Sequence, residues 1–345
     1  VACYNERPPW GPDFPPIRTP NLDAFAAQAV QFDRAFPESL PSLSARSALY
    51  TARRAYPFRL RSGSLLERHF TASGFGPLPE DDPTLSEAFR EAGFRTALIS
   101  DLYHQFKPSM NYTRGFDQWT FIRGQECDNY RSGPRPTLAE TLRYIPLDLL
   151  ALREESDVRA KIHRPEVPYW AAALVRNFRD RFEEEHWTSA KVFSTAVDWL
   201  RENRDVRTTG EGMFLTVECF DPHEPWFVPV KYRELYAPLV GQDNVVSPYA
   251  ELSMDHELLR NTRANYAGLV TMVDHWFGVL LAELLDGGWL EDTIVAVVAD
   301  HGHSLERGYV GKRGYPAEPE VFRVPMLLRL PGRLRRGSRY GHIVQ

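Results

Sequence analysis

The chain alternates amphipathic helical stretches with short, almost wholly apolar stretches, and this alternation constrains its fold more than any other feature. Residues 84–93 have helical apolar spacing between a Thr in the capping position and a Gly at the stop, and residues 94–99 then form a predicted strand. The same order recurs twice, with predicted helices at residues 186–203 and 264–285 and predicted strands at residues 213–220 and 293–299. Strands that are apolar on both faces are typical of a mostly parallel sheet covered by helices. The sequence therefore predicts an α/β fold, a three-layer sandwich with a mostly parallel central sheet flanked by helices.

The 345 residues fit one large α/β domain with an insertion. A final strand is predicted at residues 324–330. Residues 127–180 are rich in Pro, Arg and aromatic side chains and have no strand pattern, so we expect them to form an insertion or a cap over a sheet edge. The chain starts at Val1 and stops within an apolar stretch at residues 342–345. We therefore expect the domain, residues 1–345, to be truncated at both ends.

Composition excludes several classes of protein. Hydrophobic residues make up 43% and charged residues 25% of the chain, which is ordinary for a globular protein and excludes disordered and collagen-like chains. The net charge of -5 would repel a nucleic-acid backbone, so we expect no nucleic-acid partner. No apolar run approaches the roughly 18 residues that cross a bilayer, and no membrane span is expected. Localisation stays unknown, although the lack of a visible signal peptide favours the cytoplasm.

Candidate functional residues lie directly after the predicted strands, where open α/β sheets bind their ligands. Asp300 and His301 follow one strand, and Gly302 after them allows a tight turn. A carboxylate and an imidazole suit a divalent cation, and adjacent placement lets both reach one ion. The alternative is a strand-end Asp that caps a helix, with a solvated His beside it. His223 follows another strand between two prolines, and an imidazole held in this way can bind an anion or protonate a leaving group. A loop histidine bonded to backbone carbonyls is the alternative.

Ser42 and Arg46 lie in a run of small hydroxylated residues that passes into a helix-compatible stretch. This places Ser42 near a helix N-terminus, where free backbone amides favour an anion. Arg46, one turn later, can hold a sulfate or phosphate oxygen on the same face. A plain Ser-capped helix has the same pattern. Lys312, in a glycine-flanked basic pair, can bind a transferred group or assist the leaving oxygen, although a solvated surface lysine is the commoner case.

A hydroxyl nucleophile, a metal pair, an anion-binding His and a nearby Lys at the exits of one sheet rarely coincide by chance. Together they resemble the sulfatase family of the alkaline phosphatase superfamily. Residues 42–53 resemble its nucleophile signature, which runs Cys or Ser, any residue, Pro, Ser, Arg, four residues, Thr-Gly-Arg. The other matching stretches follow in the family's order: residues 19–23 with 29–32, then 115–117, 221–223, 266–274, 300–302 and 323–325.

The resemblance implies hydrolysis of a sulfate ester, from a small molecule or a saccharide, at a divalent metal. Ca2+ is expected first, with Mg2+ or Mn2+ as alternatives, and the nucleophile is expected as formylglycine, made by a formylglycine-generating enzyme. The implied roles fall on seven residues: Ser42 as the nucleophile, Arg46 as its support, Asp300 and His301 as metal ligands, His223 and Lys312 as contacts to the transferred group, and His104 as the histidine of the family's Gly-Lys-Trp-His motif.

The chain departs from the family pattern at several positions. The usual Pro and Ser of the nucleophile signature are Ser44 and Ala45, Ala52 replaces the Gly of Thr-Gly-Arg, and Leu102 stands where an active-site Lys is expected. The family's first metal ligands, an Asp pair at the end of its first strand, are expected just before Val1. The chain is therefore expected to hold half of the metal site.

Three hypotheses about function follow from these residues. The first is a metal-dependent hydrolase of sulfate esters with residue 42, as formylglycine, as the nucleophile. The second is a hydrolase of phosphodiesters or phosphonate monoesters that uses Ser42 as an unmodified alkoxide, because Ser44 and Ala45 alter the maturation signature. The third is a non-catalytic binding protein on the same fold.

Overall fold

The computed structural model describes residues 3–4, 9–54, 76–150, 166–247, 254–306, 309–312 and 319–345. Its strands are β1 (Val30–Ala35), β2 (Arg95–Ser100), β3 (Gln118–Phe121), β4 (Met213–Glu218), β5 (Val295–Val298), β6 (Ser304–Glu306), β7 (Tyr309–Gly311), β8 (Met326–Arg329) and β9 (Arg339–Val344). Its helices are α1 (Pro20–Ala26), α2 (Ser42–Thr51), α3 (Leu85–Glu91), α4 (Leu138–Thr141), α5 (Tyr169–Phe178), α6 (Thr188–Glu202), α7 (Val206–Thr209), α8 (Val230–Arg233), α9 (His256–Asp286) and α10 (Pro319–Phe322). Short 3-10 turns lie at Tyr103–Phe106, Glu184–His186, Trp289–Glu291 and Pro331–Arg333.

The described strands form two larger sheets and one hairpin. β3, β2 and β4 make a parallel sheet in that order. β5, β8, β1 and β9 make a second sheet, in which β9 runs parallel to β1 and β8 runs antiparallel to both β1 and β5. β6 and β7 pair as an antiparallel hairpin. The predicted α/β class with helices flanking parallel strands is confirmed, and the described strands are divided between two sheets.

The predicted helices and strands agree with the observed ones where residues close in the sequence, such as capping residues, determine the element. Thr84 caps α3 in a capping box, because its side chain accepts from the Glu87 amide while the Glu87 carboxylate accepts from the Thr84 amide. The predicted start of α9 at residue 264 is wrong, since the helix begins at His256. Asp255 caps this earlier start by accepting from the Leu258 amide at 2.7 Å.

One buried hydrophobic cluster spans both sheets. Ile99 on β2 and Leu327 on β8 belong to it, together with Phe193 on α6 and Leu269 and Trp276 on α9. Full burial of one such aliphatic or aromatic side chain stabilises the fold by about 1.5–3 kcal/mol. The cluster therefore holds the two sheets in one body even though their strands do not pair with each other in the described part of the chain.

The expected insertion at residues 127–180 has a small core of its own. The structure describes residues 127–150 and 166–180 of this segment. These residues contain helices α4 and α5 and no strand. Ile145 and Phe178 from this segment pack with Val246 in a cluster separate from the main one. Its role as an insertion or cap over a sheet edge stays a prediction.

α9 also places a buried carboxylate against α1. Asp274 is 1% exposed and accepts from the Leu22 amide at 2.7 Å and from the Asn21 amide at 3.1 Å. These bonds satisfy amides in the first turn of α1, which have no partner within their own helix. Among the described helices, α9 is long and apolar enough to span a membrane by length and composition, but 56% of that window is buried within the fold. This burial is also typical of a core helix.

The Asp274 contact predicts a measurable loss of stability. Asp274→Ala leaves two amides of α1 without a partner, so we expect the free energy of unfolding to fall by about 2–3 kcal/mol. Urea denaturation, monitored by circular dichroism, measures this change in the free energy of unfolding. Asp286→Ala, at the exposed end of the same helix, is the control and should change stability by less than about 0.5 kcal/mol. Equal effects of the two substitutions would contradict the assignment.

Candidate active site

Ser42 is bonded to His301 in a geometry that defines the tautomer of the imidazole. The Ser42 Oγ lies 2.9 Å from His301 Nε2, and His301 Nδ1 lies 2.8 Å from the carbonyl oxygen of Gly302. A carbonyl oxygen only accepts, so Nδ1 carries the hydrogen and Nε2 accepts from the serine hydroxyl. Ser42 is the first residue of α2, whereas the N-cap position before it is occupied by Pro41. The predicted helix N-terminus is therefore confirmed, and the interpretation of Ser42 as a plain helix cap is wrong.

Arg46 lies one turn after Ser42 and binds two carboxylates. Its Nε donates to Glu218 Oε2 at 2.6 Å, while its NH1 donates to Asp300 Oδ2 and to the Ser42 carbonyl, the latter at 3.2 Å. Burial alone would raise the pKa of Asp300, but Arg46, His301 and Lys312 lower it to about 2. The guanidinium and the Asp300 carboxylate are thus both charged at neutral pH.

His223 and Lys312 form a second bonded pair. Lys312 Nζ donates to His223 Nε2, while His223 Nδ1 lies 2.6 Å from the Glu224 carbonyl oxygen and donates to it. Burial, and then the charge of Lys312, lower the pKa of His223 well below its usual value, so the imidazole is neutral. The alternative of a loop histidine bonded to a backbone carbonyl therefore holds for Nδ1 of His223. Its Nε2 faces Lys312 instead. Lys312 is buried, so the alternative of a solvated surface lysine is wrong.

The two groups of residues are neighbours in one cluster. Burial lowers the pKa of His301, Asp300 opposes this shift, and Lys312 lowers it further. His301 in turn contributes to the lowered pKa of His223. The structure thus brings together six of the seven predicted side chains: Ser42, Arg46, His223, Asp300, His301 and Lys312.

His104 makes different contacts. Its Nε2 lies 3.1 Å from Glu126 Oε2, and its Nδ1 lies 2.7 Å from Lys107 Nζ. Both ring nitrogens are therefore engaged by residues that the sequence did not single out. The role that the resemblance implies for His104 stays a prediction.

The partners that hold Arg46 and Glu218 were missed in the sequence. Glu218 Oε1 accepts from the Tyr50 hydroxyl and from Gln105 Nε2, each at 2.6 Å. Ser100 Oγ donates to Gln105 Oε1 at 2.8 Å and orients the amide. The available signal was the single carboxylate at the end of the otherwise apolar or uncharged β4.

The donor chemistry of the cluster fits part of a divalent metal site. Asp300 supplies carboxylate oxygens, His301 supplies an imidazole nitrogen, and the Ser42 hydroxyl lies beside that nitrogen. Within the described ranges, no group of three or more His, Cys, Asp and Glu side chains could hold an ion. Calcium takes six to eight oxygen ligands. Asp300 and His301 therefore fit one side of such a site, and their role as metal ligands stays a prediction.

Gly302 is required by close packing beneath the cluster. A Cβ atom at this position would lie 1.8 Å from the carbonyl oxygen of Glu320, far inside van der Waals contact. The Gly302 amide also donates to the Val321 carbonyl at 2.8 Å. The sequence analysis expected Gly302 to allow a tight turn, and the structure adds a different requirement, since the approach of α10 leaves no room for a side chain at this position.

The chain is similar to known proteins over almost its whole length. A family model described as Sulfatase matches residues 13–343. The multifunctional alkaline phosphatase superfamily protein PehA of Trinickia caryophylli is 25% identical, over 93% of this chain and 64% of its own length. An arylsulfatase of Clostridium perfringens is 22% identical, over 94% of this chain and 66% of its own length. The chain thus spans just under two thirds of the length of these relatives.

The fold is also similar to that of solved structures. The phosphonate monoester hydrolase SpPMH from Silicibacter pomeroyi superposes with a TM-score of 0.61 and 22% sequence identity. The match covers 94% of this chain and 65% of that one. The likeness concerns the fold alone.

The ion pairs of Arg46 predict a large effect of its removal. Arg46→Ala leaves Glu218 and Asp300 buried without their cation, so we expect the free energy of unfolding to fall by about 3–5 kcal/mol. Arg131→Ala is the control, because Arg131 pairs with Asp180 and both side chains are exposed, at 43% and 55%. The control should cost less than about 1 kcal/mol. Chemical denaturation at neutral pH measures both, and a loss below 1 kcal/mol for Arg46→Ala would contradict the role of the guanidinium.

Proposed function

The chain belongs to the sulfatase family, and from this premise we propose that it carries the catalytic centre of a metal-dependent hydrolase of sulfate esters. The position of Ser42 carries the proposal: its hydroxyl lies on the first residue of α2 and 2.9 Å from His301 Nε2. Arg46 and Lys312 supply buried positive charge to the same cluster. A nucleophile surrounded by cations is what transfer of a sulfuryl group requires, because charge on its oxygens must be balanced.

Residue 42 supplies the nucleophile, and in the favoured form of the proposal it is first converted to formylglycine. Ser44 is wholly buried and Ala45 is 2% exposed in the folded chain. A formylglycine-generating enzyme that recognises these positions would therefore have to bind the chain before α2 packs into the fold. The conversion of residue 42 and the enzyme that performs it are both part of the proposal.

Lys312 and His223 act on the oxygens of the ester. The Nδ1 hydrogen of His223 is held by the Glu224 carbonyl, so the Nε2 lone pair faces the Lys312 ammonium and orients it. We infer that Lys312 contacts the transferred group and that its Nζ holds the proton that the leaving alcohol takes up. Arg46 keeps the nucleophile in place through the Ser42 carbonyl.

Asp300 and His301 are the residues that would hold the metal, with Ca2+ expected first and Mg2+ or Mn2+ as alternatives. A bound divalent ion polarises the ester and the nucleophile. Arg46 keeps Asp300 ionised, which a metal ligand must be. Further ligands are needed beyond the described residues, and the substrate, a small-molecule or saccharide sulfate ester, belongs to the proposal.

A second candidate function is hydrolysis of phosphodiesters or phosphonate monoesters by unmodified Ser42. One observation favours it: the Ser42 hydroxyl donates to the Nε2 of a neutral imidazole, which is how a general base activates a serine. Sulfate and phosphoester groups have similar shapes, and both would meet the same cations.

Mass spectrometry of the tryptic peptide 35–46 separates the two candidates. The protein is made full-length in its native host, and the expected result is a residue 42 that is two hydrogens lighter than serine, as an aldehyde is. Unmodified serine in all of the peptide would contradict the sulfatase form of the proposal and favour the phosphoester form.

Activity of the full-length, metal-loaded protein gives an independent prediction. We expect turnover of aryl sulfates to exceed turnover of phosphodiesters and phosphonate monoesters, and Ser42→Ala to lower kcat by at least about 1,000-fold because it removes the nucleophile. Ser47→Ala, farther along the same helix, is the control and should leave kcat within about twofold. Faster phosphodiester turnover, abolished by Ser42→Ala, would decide for the second candidate.

A further inference from the structure

Two buried carboxylates lie beside the cluster and have no part in the proposed mechanism. Asp101 directly follows β2 and is 0% exposed, while Asp221 follows β4 and is 3% exposed. Asp101 Oδ1 accepts from the Phe220 amide at 2.7 Å. Asp221 Oδ1 accepts from Gln125 Nε2 at the same distance. Each carboxylate thus accepts a defined hydrogen bond at the exit of a parallel strand, and the hydroxyls of Thr188 and Ser189 also favour the charged forms of Asp101 and Asp221.

This arrangement is costly for the fold. The Oδ2 atoms of Asp101 and Asp221 are both buried without a hydrogen-bond partner among the described residues. Burial, and then the charge of Asp221, raise the pKa of Asp101 to about 7. Buried Arg181 offsets part of the negative charge of both groups. A buried polar atom left without a partner costs about 1–3 kcal/mol, so the presence of this pair requires a reason.

The hydrogen bond from Phe220 provides that reason, because Phe220 contacts His223 in two ways. Its ring stacks on the His223 ring with centroids 4.0 Å apart and planes 23° apart. Its carbonyl accepts from the His223 amide at 2.9 Å. The backbone of Phe220, fixed by Asp101, thus supports both the main chain and the ring of His223.

We propose that Asp101 is a positioning residue, which holds the His223 imidazole against Lys312 through the backbone of Phe220. This inference rests on the hydrolase function proposed above. The resemblance places Asp101 at the glycine of the family's Gly-Lys-Trp-His motif, a residue that has no side chain to make such a bond. The device is therefore a feature of this chain and not of the motif.

Three variants of the full-length, metal-loaded protein test the inference. Asp101→Ala removes the acceptor for the Phe220 amide, and Asp101→Asn keeps an acceptor oxygen at the same place. Asp117→Ala is the matched control, because Asp117 accepts from the Thr96 amide at 3.0 Å at the opposite end of β2. The control removes a similar bond far from His223.

The expected result is a loss of kcat by about 10- to 100-fold in Asp101→Ala with KM within about twofold, since small misplacements of an active-site group reduce kcat by such factors. Asp101→Asn should restore kcat to within about threefold of the parent, and Asp117→Ala should leave it unchanged. Unchanged kcat in Asp101→Ala, equal losses in Asp101→Ala and Asp117→Ala, or failure of Asp101→Asn to restore kcat would each overturn the inference.

A spectroscopic measurement separates this inference from the proposed function. The measurement is a nitrogen-15 spectrum of protein labelled at histidine, and the spectrum of His223→Gln assigns the His223 signals. The parent should show a neutral His223 ring with its hydrogen on Nδ1. Asp101→Ala should lose this single tautomer, and Asp101→Asn should keep it. If the parent hydrolyses no sulfate or phosphoester, the proposed function fails, and the spectra alone then decide the position of His223. If Asp101→Ala does not fold, Asp101→Leu takes its place, because it fills a similar volume without an acceptor oxygen for the Phe220 amide. It should lower kcat in the same way, whereas an unchanged kcat would overturn the inference.

Discussion

A single buried guanidinium joins the two sheets of this protein at the site. Glu218 ends β4 in the parallel sheet, Asp300 lies after β5 in the other sheet, and Arg46 on α2 donates to both carboxylates. A carboxylate buried without a partner costs several kcal/mol, so each of these two depends on the charge of Arg46. The same guanidinium donates to the Ser42 carbonyl. The position of the proposed nucleophile is therefore coupled to the ion pairs that connect the sheets.

The parts of the fold that follow from local sequence were predictable. The helix at α3 is set by a capping box and a glycine stop within ten residues, and the apolar strand β2 follows it directly. The division of the strands into two sheets was not predictable, because strand pairing joins residues far apart in the chain. β1 pairs with β8 and β9, which lie some three hundred residues later. Which strands become neighbours in a sheet is determined by packing within the main hydrophobic cluster.

The same distinction holds at the site. The rule that ligands bind beyond strand ends, together with the family resemblance, identified Asp300, His301 and His223, and helix spacing identified Ser42 with Arg46. The partners of Arg46 were not identified, because Tyr50 and Gln105 reach Glu218 from other elements and carry no motif. His104 shows the reverse case: its motif position is clear, but its contacts with Glu126 and Lys107 are set by the turn that follows β2. Sequence position thus predicted which residues are chemically capable, and tertiary packing decided their partners.

The crowding at Gly302 has a consequence for engineering this protein. Gly302 has no role in the proposed mechanism, yet the Glu320 carbonyl occupies the space that any side chain at this position would need. A library that varies residues near His301 to change substrate preference would therefore lose every member that carries a side chain at position 302, whatever its chemistry. Diversity there is limited by excluded volume, and useful variation has to come from side chains that face the cluster from other elements.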